Sequence, residues 1–280
     1  MYLPYYQSEI PLERRIESSK IESMTVVVGT LCDNGKAAIM ASDRRVSSRD
    51  GKMSFDGPDC KIFVIGKGTL FSFAGDPPES ALLKKLRRVT ENPDNGTDAE
   101  SMILTLLDYL NQRRQVAAKG YPGLADQPLF RLHDCEVIDR HLPNTAYLMI
   151  AADPDAVHLS TVDPVGKNSE RDIPGFAAIG NGSSLAETAF ARNPHVKNYS
   201  LAQAIYVIYE AKRLAEWNDS VGETTDIAVL HHGTEPVFLD PEVMKVLEDT
   251  YQKMKPPTLS ESDVNKIQDA LPKSIQPSAM

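Results

Sequence analysis

A chain of 280 residues, 41% apolar and 25% charged, has an ordinary globular composition and room for one large or two small domains, which excludes collagen-like, coiled-coil and wholly disordered architectures. Its formal charge of −9 provides no basic field for phosphate backbones, so no nucleic-acid partner is expected. The longest unbroken apolar stretch, 146–152, is far shorter than the roughly 20 residues of a bilayer-spanning helix, so no membrane association is expected.

Cys32, Cys60 and Cys135 form no C-x-x-C and stand near no histidine pattern for zinc. They read as reduced thiols of a cytoplasmic protein. Residues 1–24 mix Arg14, Arg15 and Lys20 with Glu9, Glu13, Glu17 and Glu22 around no apolar core, so this leader is not read as a secretory signal.

In chain order, the β-branched run opening at Thr25 predicts a strand over 25–31. Asp33-Asn-Gly35 predicts a hairpin turn into a second strand over 37–42. Strands over 61–65 and 69–73 flank the turn Gly66-Lys-Gly68. Asp76-Pro-Pro-Glu79 reads as a helix start, with Asp76 as cap and Glu79 in the first turn, and that helix runs to Val89. Thr97 and Glu100 form a second capping box, opening a helix through Ile103, Leu106, Leu107 and Leu110. The Pro- and Gly-containing stretch 119–143 reads as an irregular insertion.

Strands over 145–151, 156–162 and 176–179 follow, then helices over 183–192 and 201–217, the latter with apolar residues at 201, 204, 205, 208 and 211. Strands over 226–230 and 236–239 and a helix over 241–255 close the pattern. This order predicts an α+β sandwich with sheets inside and helices outside. The domain spans 25–255; 256–280 is a polar tail with a weak helix over 261–271.

No P-loop, dinucleotide fingerprint, G-x-S-x-G or H-E-x-x-H occurs. The remaining candidate is Thr25, at the junction of leader and fold. With the leader removed, Thr25 carries an α-amine beside its own hydroxyl. An amine of unperturbed pKa about 7.7–8.0 can take the hydroxyl proton near neutral pH, which an amide nitrogen cannot. A neighbouring lysine keeps that amine neutral and stabilises negative charge on the hydroxyl oxygen, and an aspartate holds the lysine in place.

Four segments in order supply these groups: Thr25-Val-Val-Val-Gly29, Ala41-Ser-Asp-Arg-Arg45, Cys60-Lys-Ile62 and Ser72-Phe-Ala-Gly75. Together they resemble a proteasome β-type subunit, a threonine peptidase of the N-terminal-nucleophile (Ntn) hydrolase superfamily, and the 14-residue step from Lys61 to Gly75 agrees with that family. The resemblance covers about residues 25–240. It implies a four-layer αββα sandwich, Thr25 as nucleophile, Lys61 as the pKa-setting cation, Asp43 as its partner and Gly75 as oxyanion donor. More loosely, Ala178-Ile-Gly-Asn-Gly182 and Asp219-Ser-Val-Gly222 resemble its later loops, which adds Asn181, Asp219 and Ser220 as supporting residues.

The resemblance further implies cleavage of peptides or unfolded protein through an acyl-enzyme with no metal or organic cofactor, in a homo-oligomeric ring fed by an ATP-dependent unfoldase. Met24 stands where self-cleaving relatives present glycine. Two maturation routes are therefore open: autocatalytic removal of the 24-residue leader by attack of Thr25 on its preceding carbonyl, or translation from Met24 with removal of the methionine. Two other readings also stand, a non-catalytic proteasome-like structural subunit and an Ntn amidohydrolase acting on a small amide. Arg44 and Arg45 read as structural charges, Cys60 as core, and His231-His232 as no metal site, because adjacent strand residues face opposite ways.

Overall fold

A computed structural model describes residues 25–47, 54–91, 99–121, 123–124, 126–128, 131 and 144–254. The leader, Thr97, Cys135, most of the 119–143 insertion, Lys255 at the end of the expected 241–255 helix, and the 256–280 tail with its expected helix over 261–271 lie outside the described residues. The chain divides into two units, 1–239 and 240–280.

The first unit is α+β, built on two five-stranded antiparallel sheets. Its strands are β1 (Val26–Cys32), β2 (Ala37–Asp43), β3 (Arg45–Ser47), β4 (Ser54–Asp56), β5 (Phe63–Ile65), β6 (Thr69–Ala74), β7 (Ala146–Ala152), β8 (Val157–Val162), β9 (Asn168–Glu170), β10 (Phe176–Gly180), β11 (Thr225–His231) and β12 (Val237–Phe238). One sheet runs β10-β1-β2-β11-β12, the other β5-β6-β7-β8-β9, and β3 pairs with β4 as a separate ribbon.

Alternation along the strands creates the core. Val27 and Leu31 of β1, Ala38 and Met40 of β2, and Ala228 and Leu230 of β11 join Leu70, Leu148, Ile150 and Leu159 of the second sheet in one buried apolar cluster. Gly29 keeps that approach close: a Cβ there would stand 2.9 Å from Leu148 Cδ2.

The opposite face of the second sheet, carrying Phe71, Phe73, Tyr147 and Met149, clusters with Leu82 and Leu86 of α1 (Ser80–Glu91) and Met102 and Leu106 of α2 (Ala99–Ala118). Helix α3 (Ser183–Arg192) contacts β10, where Phe190 stacks on Phe176 with ring centroids 4.6 Å apart. Helix α4 (Leu201–Ala215) lies against β1 and β2 and buries Ala204, Val207, Ile208 and Ala211. A capping box from Ser200 and Gln203 starts α4.

In the second unit, α5 (Pro241–Met254) begins where Val243 N donates to Asp240 Oδ1 at 2.9 Å. Among the described residues, no helix is long and apolar enough to cross a membrane.

Several elements differ from their sequence expectation. Helix α1 starts at Ser80, and the Glu79 carbonyl accepts from Leu82 and Leu83 N–H. The Glu79 side chain meets Arg113 and Tyr109 of α2 instead of reaching back to a cap. Asp33-Asn-Gly35 forms a 3₁₀ turn with positive φ at all three residues, so the hairpin is longer than a two-residue turn. Strand β5 begins at Phe63 and not at Lys61. Lys61 lies before it, and its carbonyl accepts from the Ser72 hydroxyl at 2.9 Å. The short strands β3, β4 and β9 have too few residues to show a period in the sequence.

Candidate active site around Thr25

Thr25 immediately precedes β1 and is only 5% exposed. Three oxygens surround the Lys61 ammonium: Thr25 Oγ1 at 2.5 Å, the Arg45 carbonyl at 2.5 Å and Asp43 Oδ1 at 3.0 Å. An ammonium has three protons, so each of these acceptors takes one and the side chain is fully committed. Asp43, the last residue of β2, is wholly buried. Its second oxygen, Oδ2, accepts the Gly222 N–H at 2.9 Å.

Burial opposes charge on both members of this pair. It pushes the Asp43 carboxyl above the usual carboxylate range, against the pull of Lys61 and the Gly222 N–H. It likewise draws Lys61 below the ordinary lysine value, against the opposing fields of Asp43 and Asp56. Lys61 therefore gives up a proton more readily than a surface lysine while standing in hydrogen-bond contact with a threonine hydroxyl. Perturbed titration in a buried cluster of this kind is typical of functional sites.

The glycines fix the surroundings. Gly180 ends β10 with φ +87°, and a Cβ there would fall 2.0 Å from the Thr25 carbonyl oxygen and 2.8 Å from Ala74 Cβ. The end of β6 and the Thr25 carbonyl thus meet at this point. Gly75 follows directly, with φ +125°, and a Cβ on it would lie 2.1 Å from the Asn144 carbonyl oxygen. No other residue fits there without moving the chain.

Thr25, Asp43 and Lys61, three of the sequence-derived candidates, are therefore joined by direct hydrogen bonds. Gly75 adjoins them through Ala74 and Gly180. Asn181 is half-buried between β10 and α3. Asp219 is exposed, and its carbonyl oxygen is 3.5 Å from an Arg45 guanidinium nitrogen. The Ser220 hydroxyl donates to Asn218 Oδ1 at 2.7 Å. From this turn, Gly222 is the residue that reaches Asp43.

Two residues beside the site are not among the sequence-derived candidates, although Gly222 closes the quoted segment Asp219-Ser-Val-Gly222. Gly222 acts through its backbone, which no side-chain motif reveals; a Cβ there would meet Asp56 Oδ1 at 2.3 Å. Lys212 is fully buried on the inner face of α4. It lies four residues after Ile208 and three before Ala215 in the apolar stripe, and a charge in that phase was the available signal.

The neighbouring charged and sulfur-bearing residues have other roles. Arg44 makes a two-pronged pair with Asp226, at 2.7 Å and 2.6 Å. Burial raises the Cys60 thiol to about 11, the direction opposite to a reactive thiolate, and its sulfur sits by the Ile62 backbone. His231 points toward Asp33, whereas His232 meets the Pro154 carbonyl. Among the described residues, no group of three or more His, Cys, Asp or Glu side chains is placed to hold a metal ion. No family model matches the chain, and comparison with curated proteins gives no match.

Proposed function

We propose that this protein is a threonine-type N-terminal-nucleophile peptidase resembling a proteasome β subunit, and that its sheets and helices form the four-layer αββα sandwich of that superfamily. The observation that carries this reading is the Lys61 ammonium bonded at once to the Thr25 hydroxyl and the buried Asp43 carboxylate. An ammonium against the threonine hydroxyl supports this chemistry by stabilising negative charge on the attacking oxygen.

In the mature chain, the Thr25 α-amine takes the proton from its own hydroxyl as Oγ1 attacks the scissile carbonyl carbon. The Lys61 cation stabilises charge on Oγ1 and disfavours protonation of the amine. The carbonyl oxygen becomes an oxyanion, for which the Gly75 N–H is the donor. Collapse breaks the C–N bond, the α-ammonium gives its proton to the departing amine, and an ester to Thr25 remains. Water, deprotonated by the same α-amine, attacks that ester and releases the second product with Thr25 restored.

The substrates are peptides or unfolded protein, and the working form is a homo-oligomeric ring or related assembly served by an ATP-dependent unfoldase. These last features rest on the family resemblance.

The test is hydrolysis of fluorogenic peptides by protein whose chain begins at Thr25. Activity that falls at least ~10³-fold in Thr25→Ala supports the peptidase. Turnover of small amides alone would transfer the site to an Ntn amidohydrolase. Mature protein inert toward both substrates would make the chain a structural subunit.

A further inference from the structure

The strongest unassigned feature is the buried ammonium of Lys212. Lys212 is fully buried on α4, and its three protons have three acceptors: the Glu216 carboxylate, the Gly222 carbonyl at 2.7 Å and the Glu223 carbonyl at 2.8 Å. Glu216 caps the end of α4. The ammonium therefore ties the helix terminus to residues 222 and 223 and closes the intervening turn as a staple.

Inside that turn, Val221 N donates to the Asn218 carbonyl at 2.9 Å, and Arg213 pairs with the other Glu216 oxygen at 2.8 Å. The stapled residue, Gly222, is also the one facing the site. The carbonyl of Gly222 is held by Lys212 while its N–H donates to Asp43 Oδ2. A pull on one side of residue 222 thus sets the position of a hydrogen bond on the other.

We propose that Lys212 is a positioning residue of the Thr25 site: by fixing the turn from Glu216 to Glu223 it aims the Gly222 N–H at Asp43 and so holds the carboxylate in place on Lys61. This inference rests on the peptidase reading above. Lys212 touches neither substrate nor Thr25 in this scheme, and acts through Gly222 and Asp43.

The charged groups around Lys212 are Glu216 and Arg213 on α4, Asp43 at the end of β2 and Asp56 at the end of β4. Glu216 and Asp43 favour its charge, and burial and Arg213 oppose it. If the turn loosens, Asp43 is less well placed beside Lys61. The Lys61 cation then loses support, and the alkaline limb of the rate profile moves to lower pH.

The experiment compares mature wild-type and Lys212→Met protein, using a fluorogenic peptide across pH and hydrogen exchange of the peptide spanning residues 217–225. Lys212→Met is expected to raise exchange of that segment at least ~10-fold, lower kcat ~10- to 100-fold with KM changed less than ~3-fold, and move the alkaline limb down. A folded Lys212→Met with faster exchange but a wild-type pH profile and kcat would show a purely structural lysine and overturn the inference.

If Lys212→Met does not fold, Glu216→Gln decides. It removes the counter-charge and keeps the shape, and the same three changes are expected at ~3-fold size. Their absence in folded Glu216→Gln overturns the inference. Wild-type protein inert toward peptides would instead overturn the peptidase reading, and the positioning role with it. Wild-type activity with unaltered behaviour of both variants removes Lys212 alone.

Discussion

Lys61 and Asp43 come from separate segments 18 residues apart and meet through a 3.0 Å contact inside the fold, with a side-chain exposure of 10% for the lysine and none for the aspartate. Burying such a pair is costly, and removing one partner leaves an uncompensated charge, typically a loss of about 3–5 kcal/mol. Asp43→Ala is expected to lower unfolding free energy by about that much, measured by chemical denaturation. A loss below about 1 kcal/mol would mean the pair behaves as a surface contact.

The pH profile follows from the same pair. Activity in this account requires Lys61 charged, so rate is lost as pH rises through the Lys61 pKa. Burial places that pKa below the ordinary lysine value, so the alkaline limb of kcat/KM is expected below about pH 10.4. Asp43 is the main group opposing this downward shift. Asp43→Asn therefore moves the limb further down. Movement of the limb upward in Asp43→Asn would contradict the assignment.

Gly180 tests the backbone geometry around Thr25. A methyl group there would overlap the Thr25 carbonyl oxygen in a left-handed conformation. Gly180→Ala is expected to destabilise by at least about 1–3 kcal/mol. Since the displaced group belongs to Thr25, kcat should fall more than ~10-fold even in the folded fraction. A stable Gly180→Ala with full activity would place Thr25 outside the site.

The α+β order of strands and helices is legible in the sequence. Thr25, Asp43, Lys61 and Gly75 are singled out by four segments that resemble the proteasome β-type family, and of helices α3 and α4 the second is announced by its apolar period. Gly222 closes the Asp219-Ser-Val-Gly222 segment but carries no role in the sequence reading, because its contribution is a backbone N–H that every residue type except proline possesses. Lys212 was partly legible: a lysine in the buried phase of α4 contradicts the helix's own pattern, and such contradictions concentrate where function or strain is stored. The late start of α1 was missed because Glu79 is drawn to Arg113 and Tyr109, a tertiary attraction that overrides local capping.

The Gly222 contact yields a separate prediction. With a built Cβ only 2.3 Å from Asp56 Oδ1 and 3.1 Å from Arg45 Cβ, Gly222→Ala must push the turn away from β4. The hydrogen bond to Asp43 lengthens, and kcat should drop ~10-fold or more while KM stays within ~3-fold. Steady-state kinetics on the matured variant check this. A KM change alone would assign the turn to substrate binding instead.

The most direct test is the intact mass of catalytically active protein after treatment with a peptide bearing a threonine-reactive electrophile. An N-terminal threonine nucleophile predicts a chain whose first residue is Thr25, carrying one adduct that is absent from Thr25→Ala. Peptide hydrolysis by a chain still acylated at the Thr25 nitrogen, or an adduct that persists in Thr25→Ala, would contradict it.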